Sequence, residues 1–428
     1  MSKVVCILTD FYEADSTYSL NIIAEAQINM ALDAGYPVVG VVSEGFKPVR
    51  AWERIELRHI PPPKERKNHV EFYPEIGDDV KATKAALDEV LSDVDVIITH
   101  DLIYQSAIMP LNFAARAWAQ QNPHAVWLNW VHSATPSPIW TTQDRRLEPL
   151  QRHFPNSKLC FPNSWDVPRV CRSFRCEPDD VAVVPHPTDF GRFFGFQELT
   201  KELVKEKGLL SADVIMVYPV RLDRGKQVEH VLHVASALKK HFGMSVRLVT
   251  CDFHSTGGDK VEYRKDLKKM LPEMGLNDID VTFTSEFHKD WHLRVPREVV
   301  RDLCLLANVH VQPSVSETYS LIAQEAAACG AFLILNSDMP VFRSVYGPHA
   351  AYFQFSSAVN PLTGETAKFD TTYGDPDGYF RNIAGRVAYE LQYNPVLAQR
   401  TRIRKERNPA YVFKRYIEPL FYFKEGLV

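Results

Sequence analysis

The sequence predicts an α/β protein built from two doubly wound, Rossmann-like domains. Short, nearly continuous apolar runs recur along the chain, as strands of a parallel sheet covered on both faces require. Stretches of helical periodicity separate them. The rhythm of strand, loop, helix and strand occurs twice.

In the first half the strand candidates are Val4–Thr9, Val38–Ser43, Asp95–His100, Ala125–Val131, Lys158–Asn163 and Val181–Pro185. In the second they are Val214–Val220, Ser245–Thr250, Asp280–Thr284, Val309–Ser314, Ala331–Asn336 and Ala351–Phe355. From Val228, the residues Val231, Leu232, Ala235 and Leu238 mark one face of a helix. The expected domains are 1–195 and 196–405. Residues 406–428, with the aromatic-rich "NPAYVFKRYIEPLFYF", are expected to form a helix crossing the interface. Strand C-terminal ends of both domains would face a central cleft, where α/β folds usually bind ligands.

A chain of 428 residues with 45% hydrophobic content can bury two cores. Its 24% charged content and net charge of −4 exclude a bulk nucleic-acid binder or a disordered chain. The seven cysteines follow no CxxC or Cys/His ligand spacing, so free thiols in a reducing, cytoplasmic setting are expected. "VVCILTDF" reads as a first strand rather than a signal peptide. No apolar run reaches the length of a transmembrane helix.

Charge is uneven. Residues 1–190 carry 18 Lys+Arg against 25 Asp+Glu. Within that acidic half, residues 141–176 reverse sign through Arg145, Arg146, Arg152, Lys158, Arg169, Arg172 and Arg175. This stretch is either a solvated face or a surface for a phosphate-bearing acceptor.

The most informative stretch is "SETYSLIAQEAAACGA", Ser316–Ala331. A helix starting near Thr318 would place Glu317 and Glu325 about 12 Å apart along its axis, facing broadly the same way. They could then hold two parts of one extended ligand. The first-turn amides from Thr318 to Ile322 would form an anion site. In "YPVRLDRGKQVEHV", Arg221 and Lys226 flank the turn after the first strand of the second domain. A guanidinium and an ammonium at that sheet edge suit a diphosphate.

Taken together, these motifs resemble the retaining nucleotide-sugar glycosyltransferases of family 4, which have the GT-B fold; phage-type members are among the similar sequences. The resemblance covers the second domain. It implies that Arg221 and Lys226 neutralise the donor diphosphate, and that Tyr319, Ser320, Leu321 and Ile322 offer amides to phosphate and sugar oxygens. It implies that Glu325 accepts from ribose hydroxyls and that Glu317 faces the sugar. The loop Ser285–Phe287, with Glu286, is where such enzymes read the base. His132, in "NWVHSATPSP", corresponds to a histidine beside the donor sugar. His186-Pro187 replaces a more usual Asn-Gly. The first strand-to-helix loop, "DFYEADSTYSLN", lacks the usual glycine pair, so Asp15, Ser16 and Thr17 would supply side chains there.

The implied reaction moves a sugar from a nucleoside diphosphate to an acceptor hydroxyl, with no metal and no further cofactor. Asp15, Ser16, Arg145, Arg146 and Arg172 are the acceptor-side candidates. A glycan, a lipid-linked hydroxyl or a hydroxymethylated base in DNA are the acceptor classes. A sugar-nucleotide epimerase and a non-catalytic sugar-nucleotide binder are the alternatives. Asp93-Val94-Asp95 reads as a strand entry rather than a metal motif. "STGGDK" lacks a phosphate-loop context, and "HKDWHLRVP" reads as a rim loop without zinc spacing.

Overall fold

The structure is a computed structural model that describes residues 3–9, 19–62, 76–104, 108–132, 148–149, 152–154, 157–253, 260–355 and 375–425. Its contacts divide the chain into two units. One comprises residues 1–187 with 409–428, the other residues 188–408.

The first unit holds a seven-stranded parallel sheet. Its strands are β1 (Val5–Leu8), β2 (Val38–Ser43), β3 (Glu56–Ile60), β4 (Val96–His100), β5 (Val126–Trp130), β6 (Ser157–Phe161) and β7 (Val181–Val183). They are ordered β3-β2-β1-β4-β5-β6-β7. The second unit holds a six-stranded parallel sheet of β8 (Val214–Arg221), β9 (Val246–Phe253), β10 (Val281–Phe283), β11 (Val309–Gln312), β12 (Phe332–Asn336) and β13 (Ala351–Phe353). Their order is β10-β9-β8-β11-β12-β13. Each sheet therefore reverses its strand order once, between β1 and β4 and between β8 and β11. Such switch points splay the loops at the strands' C-terminal ends and open a crevice there.

Every strand candidate holds a strand, and β3 is an addition. "ELRHI" carries charges on alternate positions and only Ile60 is buried, so it lacks the apolar run that marks a central strand. An edge position explains this pattern, because one side meets no partner strand. Arg58 of β3 grips both oxygens of Asp93, at 2.5 and 3.0 Å. Asp95 accepts from the Val4 amide at 2.7 Å. Both carboxylates of the Asp-Val-Asp stretch are thus occupied by the fold.

The C-terminal segment joins the first unit. It runs through Pro409–Val412, a π-turn at Phe413–Ile417 and a 3-10 stretch at Glu418–Glu425. Val412, Phe413, Ile417 and Phe421 enter the same apolar cluster as Ile28, Val38 and Trp130. Tyr36 donates to Glu418 at 2.9 Å, and Lys3 reaches Glu425 at 2.6 Å. In the second unit the helix Val228–Phe242 buries Val231, Leu232, Ala235 and Leu238, the face expected from their spacing.

Candidate functional site

The loops after β8 and β11 are stitched together at the switch point of the second sheet. The Val315 amide donates to the Gly225 carbonyl at 3.0 Å. Across this junction Lys226 Nζ lies 2.6 Å from Glu317 Oε1, with both side chains largely buried. Gln312, the last residue of β11, donates Nε2 to the same Glu317 oxygen at 3.0 Å. Its Oε1 accepts from Ser320 Oγ at 3.0 Å and lies 3.0 Å from His310 Nε2. Tyr218 OH donates to the Lys226 carbonyl at 2.9 Å. Gln312 therefore holds the carboxylate from behind, and Tyr218 fixes the backbone that carries the ammonium.

Arg221 ends β8 with its side chain exposed. It makes no ion pair among the described residues. Tyr319 and Leu321 are exposed large side chains beside the same edge.

The helix after β11 begins later than the spacing predicts. It runs from Leu321 to Ala328, and its cap, Ser320, has φ 70° and ψ 86°. A left-handed serine interrupts the helical path, so Thr318, Tyr319 and Ser320 lie in the loop rather than in the first turn. That conformation is costly for a non-glycine residue and persists where surroundings enforce it. Here the Ser320 hydroxyl is held by Gln312 and accepts from the Ala323 amide at 3.3 Å. The amides of Leu321 and Ile322 remain first-turn donors.

This shift also removes the argument from helical rise. Glu317 precedes the helix, and the two glutamates have different surroundings. Glu325 pairs with Arg297 Nη2. It lines a cavity of about 360 Å³ with Arg297, Glu298, Arg301, Cys304, Ala328 and Cys329. Ala323 and Ala326 are the helix positions that face the sheet. Glu286, in the turn after β10, contacts Lys268 Nζ at 2.8 Å and Arg264 Nε at 3.4 Å. Its neighbour Ser285 donates to buried Asp252, which fixes that turn to the end of β9.

At the first sheet's C-terminal edge the sequence reading singled out His132 but not its partners. His132 Nε2 lies 3.0 Å from His100 Nδ1, and His100 Nε2 lies 3.0 Å from Gln27 Oε1. The rings of His132 and His186 stack with centroids 5.7 Å apart. Burial pushes His132 and His186 down to about 4, and His100 well below the usual imidazole range. Mutual repulsion among the three adds to the effect on His100. A neutral His100 that donates Nε2–H to Gln27 must accept at Nδ1, so His132 donates from Nε2. That leaves His132 Nδ1 as a ring acceptor. The backbone amide of His132 is fixed by Asp101 at 2.9 Å. The available sequence signal was positional: His100 ends an apolar strand, and His132 and His186 each follow one.

Asp15, Ser16, Arg145 and Arg146 lie outside the described residues. Arg172 is exposed on the helix Val167–Phe174. Other members of the basic stretch are internally paired. Arg152 and Arg175 both meet Glu148, at 2.7 and 3.1 Å, and Arg169 meets Asp166 at 2.9 Å.

Residues 200–358 match the family model described as "Glycosyl transferases group 1". That span contains Arg221, Lys226, Glu286, Glu317 and Glu325. A comparison with curated proteins finds no match. Solved structures similar to this chain include a glycosyltransferase from Rickettsia africae, with 11% identity, a TM-score of 0.33, and coverage of 99% of this chain and 97% of that one. Anabaena HepE in complex with UDP and glucose has 13% identity and a TM-score of 0.32, covering 99% and 98%. A sucrose-phosphate synthase from Thermosynechococcus elongatus has 16% identity and a TM-score of 0.33, covering 99% and 97%. Likenesses at this level carry no functional argument. No helix among the described residues is long and apolar enough to cross a membrane.

Proposed function

We propose that the protein is a retaining glycosyltransferase, of the family 4 type, that takes its sugar from a nucleoside-diphosphate donor. The observation that carries this reading is the Lys226–Glu317 pair at the β8/β11 switch point. An ammonium held by a single carboxylate is well placed to exchange that partner for a phosphate oxygen. The first-turn amides of Leu321 and Ile322, with exposed Arg221, add fixed positive potential where diphosphate charge would develop. Such preorganised donors act on the leaving group without a metal ion. Released from Lys226, Glu317 would accept from a hydroxyl of the donor sugar. Glu325 would take the ribose after parting from Arg297, and the Ser285–Phe287 turn would meet the base. The group 1 match over residues 200–358 supports the donor assignment.

His132 is proposed to accept from a sugar or acceptor hydroxyl through Nδ1. The acceptor is proposed to carry a hydroxyl on a phosphate-bearing molecule, with Arg172 as the described cation of that surface. The test is a screen of nucleotide sugars by thermal shift, followed by turnover against lipid, glycan and hydroxymethylcytosine DNA. Wild-type protein should release nucleoside diphosphate, slowly without acceptor and faster with one. Glu317→Ala should abolish both. Conversion of the donor sugar to its epimer without nucleotide release would point instead to an epimerase. Consumption of no nucleotide sugar at all would leave only a binder.

A further inference from the structure

Away from both strand edges described above, three potential metal ligands converge at the β7 end of the first sheet. His153, Cys176 and Asp180 each present one donor atom, and these atoms all lie within 4.8 Å of one another. His153 Nε2 is 3.5 Å from Asp180 Oδ2. A triangle of side 4.8 Å has its centre about 2.8 Å from each corner. Small rotamer shifts therefore reach zinc bond lengths of about 2.0–2.3 Å.

The backbone holds these residues in register. The helix Val167–Phe174 carries Cys171 and ends at Arg175, whose φ of 46° turns the chain back. The Cys176 amide then donates to the Cys171 carbonyl at 3.2 Å. His153 donates its amide to the Phe174 carbonyl at 3.3 Å. Asp180 Oδ2 accepts from the Glu177 amide at 3.0 Å, which orients the carboxylate from behind. Supported ligands of this kind are characteristic of metal sites.

We propose that His153, Cys176 and Asp180 bind one divalent transition-metal cation of the zinc type. A sulfur, an imidazole nitrogen and a carboxylate oxygen match that ion's borderline-soft preference. Three protein ligands leave the fourth tetrahedral position to a water. The ion would fasten the segment at His153 to the helix end and to the turn Pro178–Asp180 that enters β7. Without metal, burial pushes the Cys176 thiol up to about 12. The nearby charges are the carboxylates Glu177 and Asp180 and the cations Arg116 and Lys158. Binding must then release the Cys176 thiol proton to solvent, and affinity should fall as pH falls.

The experiment uses full-length, reduced protein stripped with a chelator and titrated with Zn²⁺ alone against a chromophoric competitor. One zinc per chain should bind and raise the Tm. Co²⁺ should give a thiolate-to-metal charge-transfer band. Cys176→Ser should lose that band, and Asp180→Asn should weaken Zn²⁺ binding by at least about tenfold, the upper part of the range for disturbing a ligand's support. The wild-type Co²⁺ spectrum needs no variant to fold. Absence of the thiolate band, equal zinc binding by folded Cys176→Ser, or a native Cys171–Cys176 disulfide would each overturn the proposal.

Discussion

The two sheets end in opposite kinds of polarity. At the β8/β11 edge of the second unit, a full positive and a full negative charge face each other, with Arg221 exposed nearby. At the β4/β5 edge of the first unit, three imidazoles stack in a partly buried, neutral chain anchored on Gln27. Fixed charge suits an anionic ligand, because pairing is restored when a phosphate replaces the carboxylate. Neutral imidazoles suit hydroxyls, which need an acceptor or a donor but no counter-charge. The same α/β scaffold thus sets fixed charge at one edge and neutral imidazoles at the other, through what each strand's last residues carry.

Loss of the charged edge should have the largest effect. Lys226→Ala removes the ammonium and strands Glu317, so kcat for nucleotide-sugar turnover should fall by about 10²–10³, the usual scale for a lost electrostatic contact to the developing charge. Lys226→Arg should recover only part, since a planar fork does not reproduce a point charge in a close-fitting site. Steady-state kinetics with saturating acceptor would measure both. The contrast between the edges fails if His132→Ala costs as much as Lys226→Ala while leaving the pH profile unchanged.

The sequence carried the two sheets plainly, because buried parallel strands must be continuously apolar. It did not carry β3, whose edge position frees it from that demand. The charged site was half legible. Arg221, Lys226 and Glu317 stood out by residue type at strand ends, and Lys226 and Glu317 indeed meet. The start of the helix was misjudged because Ser320 is an ordinary residue by composition, and only the hydroxyl contacts to Gln312 and Ala323 reveal its left-handed turn. Arg297, which occupies Glu325, comes from a preceding helix and leaves no local signal. His100 and His186 were hidden for a similar reason, since their meaning lies in stacking between strands distant in sequence.

The neutral edge should show itself in pH dependence. His132 and His186 titrate near 4 in the fold against an ordinary value of about 6.5. Between those values the unfolded chain binds protons that the folded chain refuses. Stability from this cluster is therefore complete above about 6.5 and is lost as pH falls from there toward 4. A series of Tm measurements across that window should show a steeper decline for wild type than for His132→Asn. Parallel curves would mean that the three rings do not titrate as a buried group, and the contrast with the charged edge would disappear.

Freeing Glu325 should produce the smallest effect. Arg297 is 79% exposed, so its pair with Glu325 should add less than about 1 kcal/mol to stability. Arg297→Ala should accordingly leave the Tm nearly unchanged. If Glu325 meets the ribose, removing its competitor should tighten nucleoside-diphosphate binding, by no more than about fivefold, the equivalent of that same 1 kcal/mol. Glu325→Ala should weaken the same binding, whereas Glu298→Ala, in the same cavity wall, should do neither. Titration calorimetry of the three variants separates these outcomes. Opposite signs for Arg297→Ala and Glu325→Ala would extend the exchange of a resting ion pair for a ligand from Lys226–Glu317 to a second position on the same edge. Equal, unchanged affinities in both would confine that exchange to the Lys226–Glu317 pair.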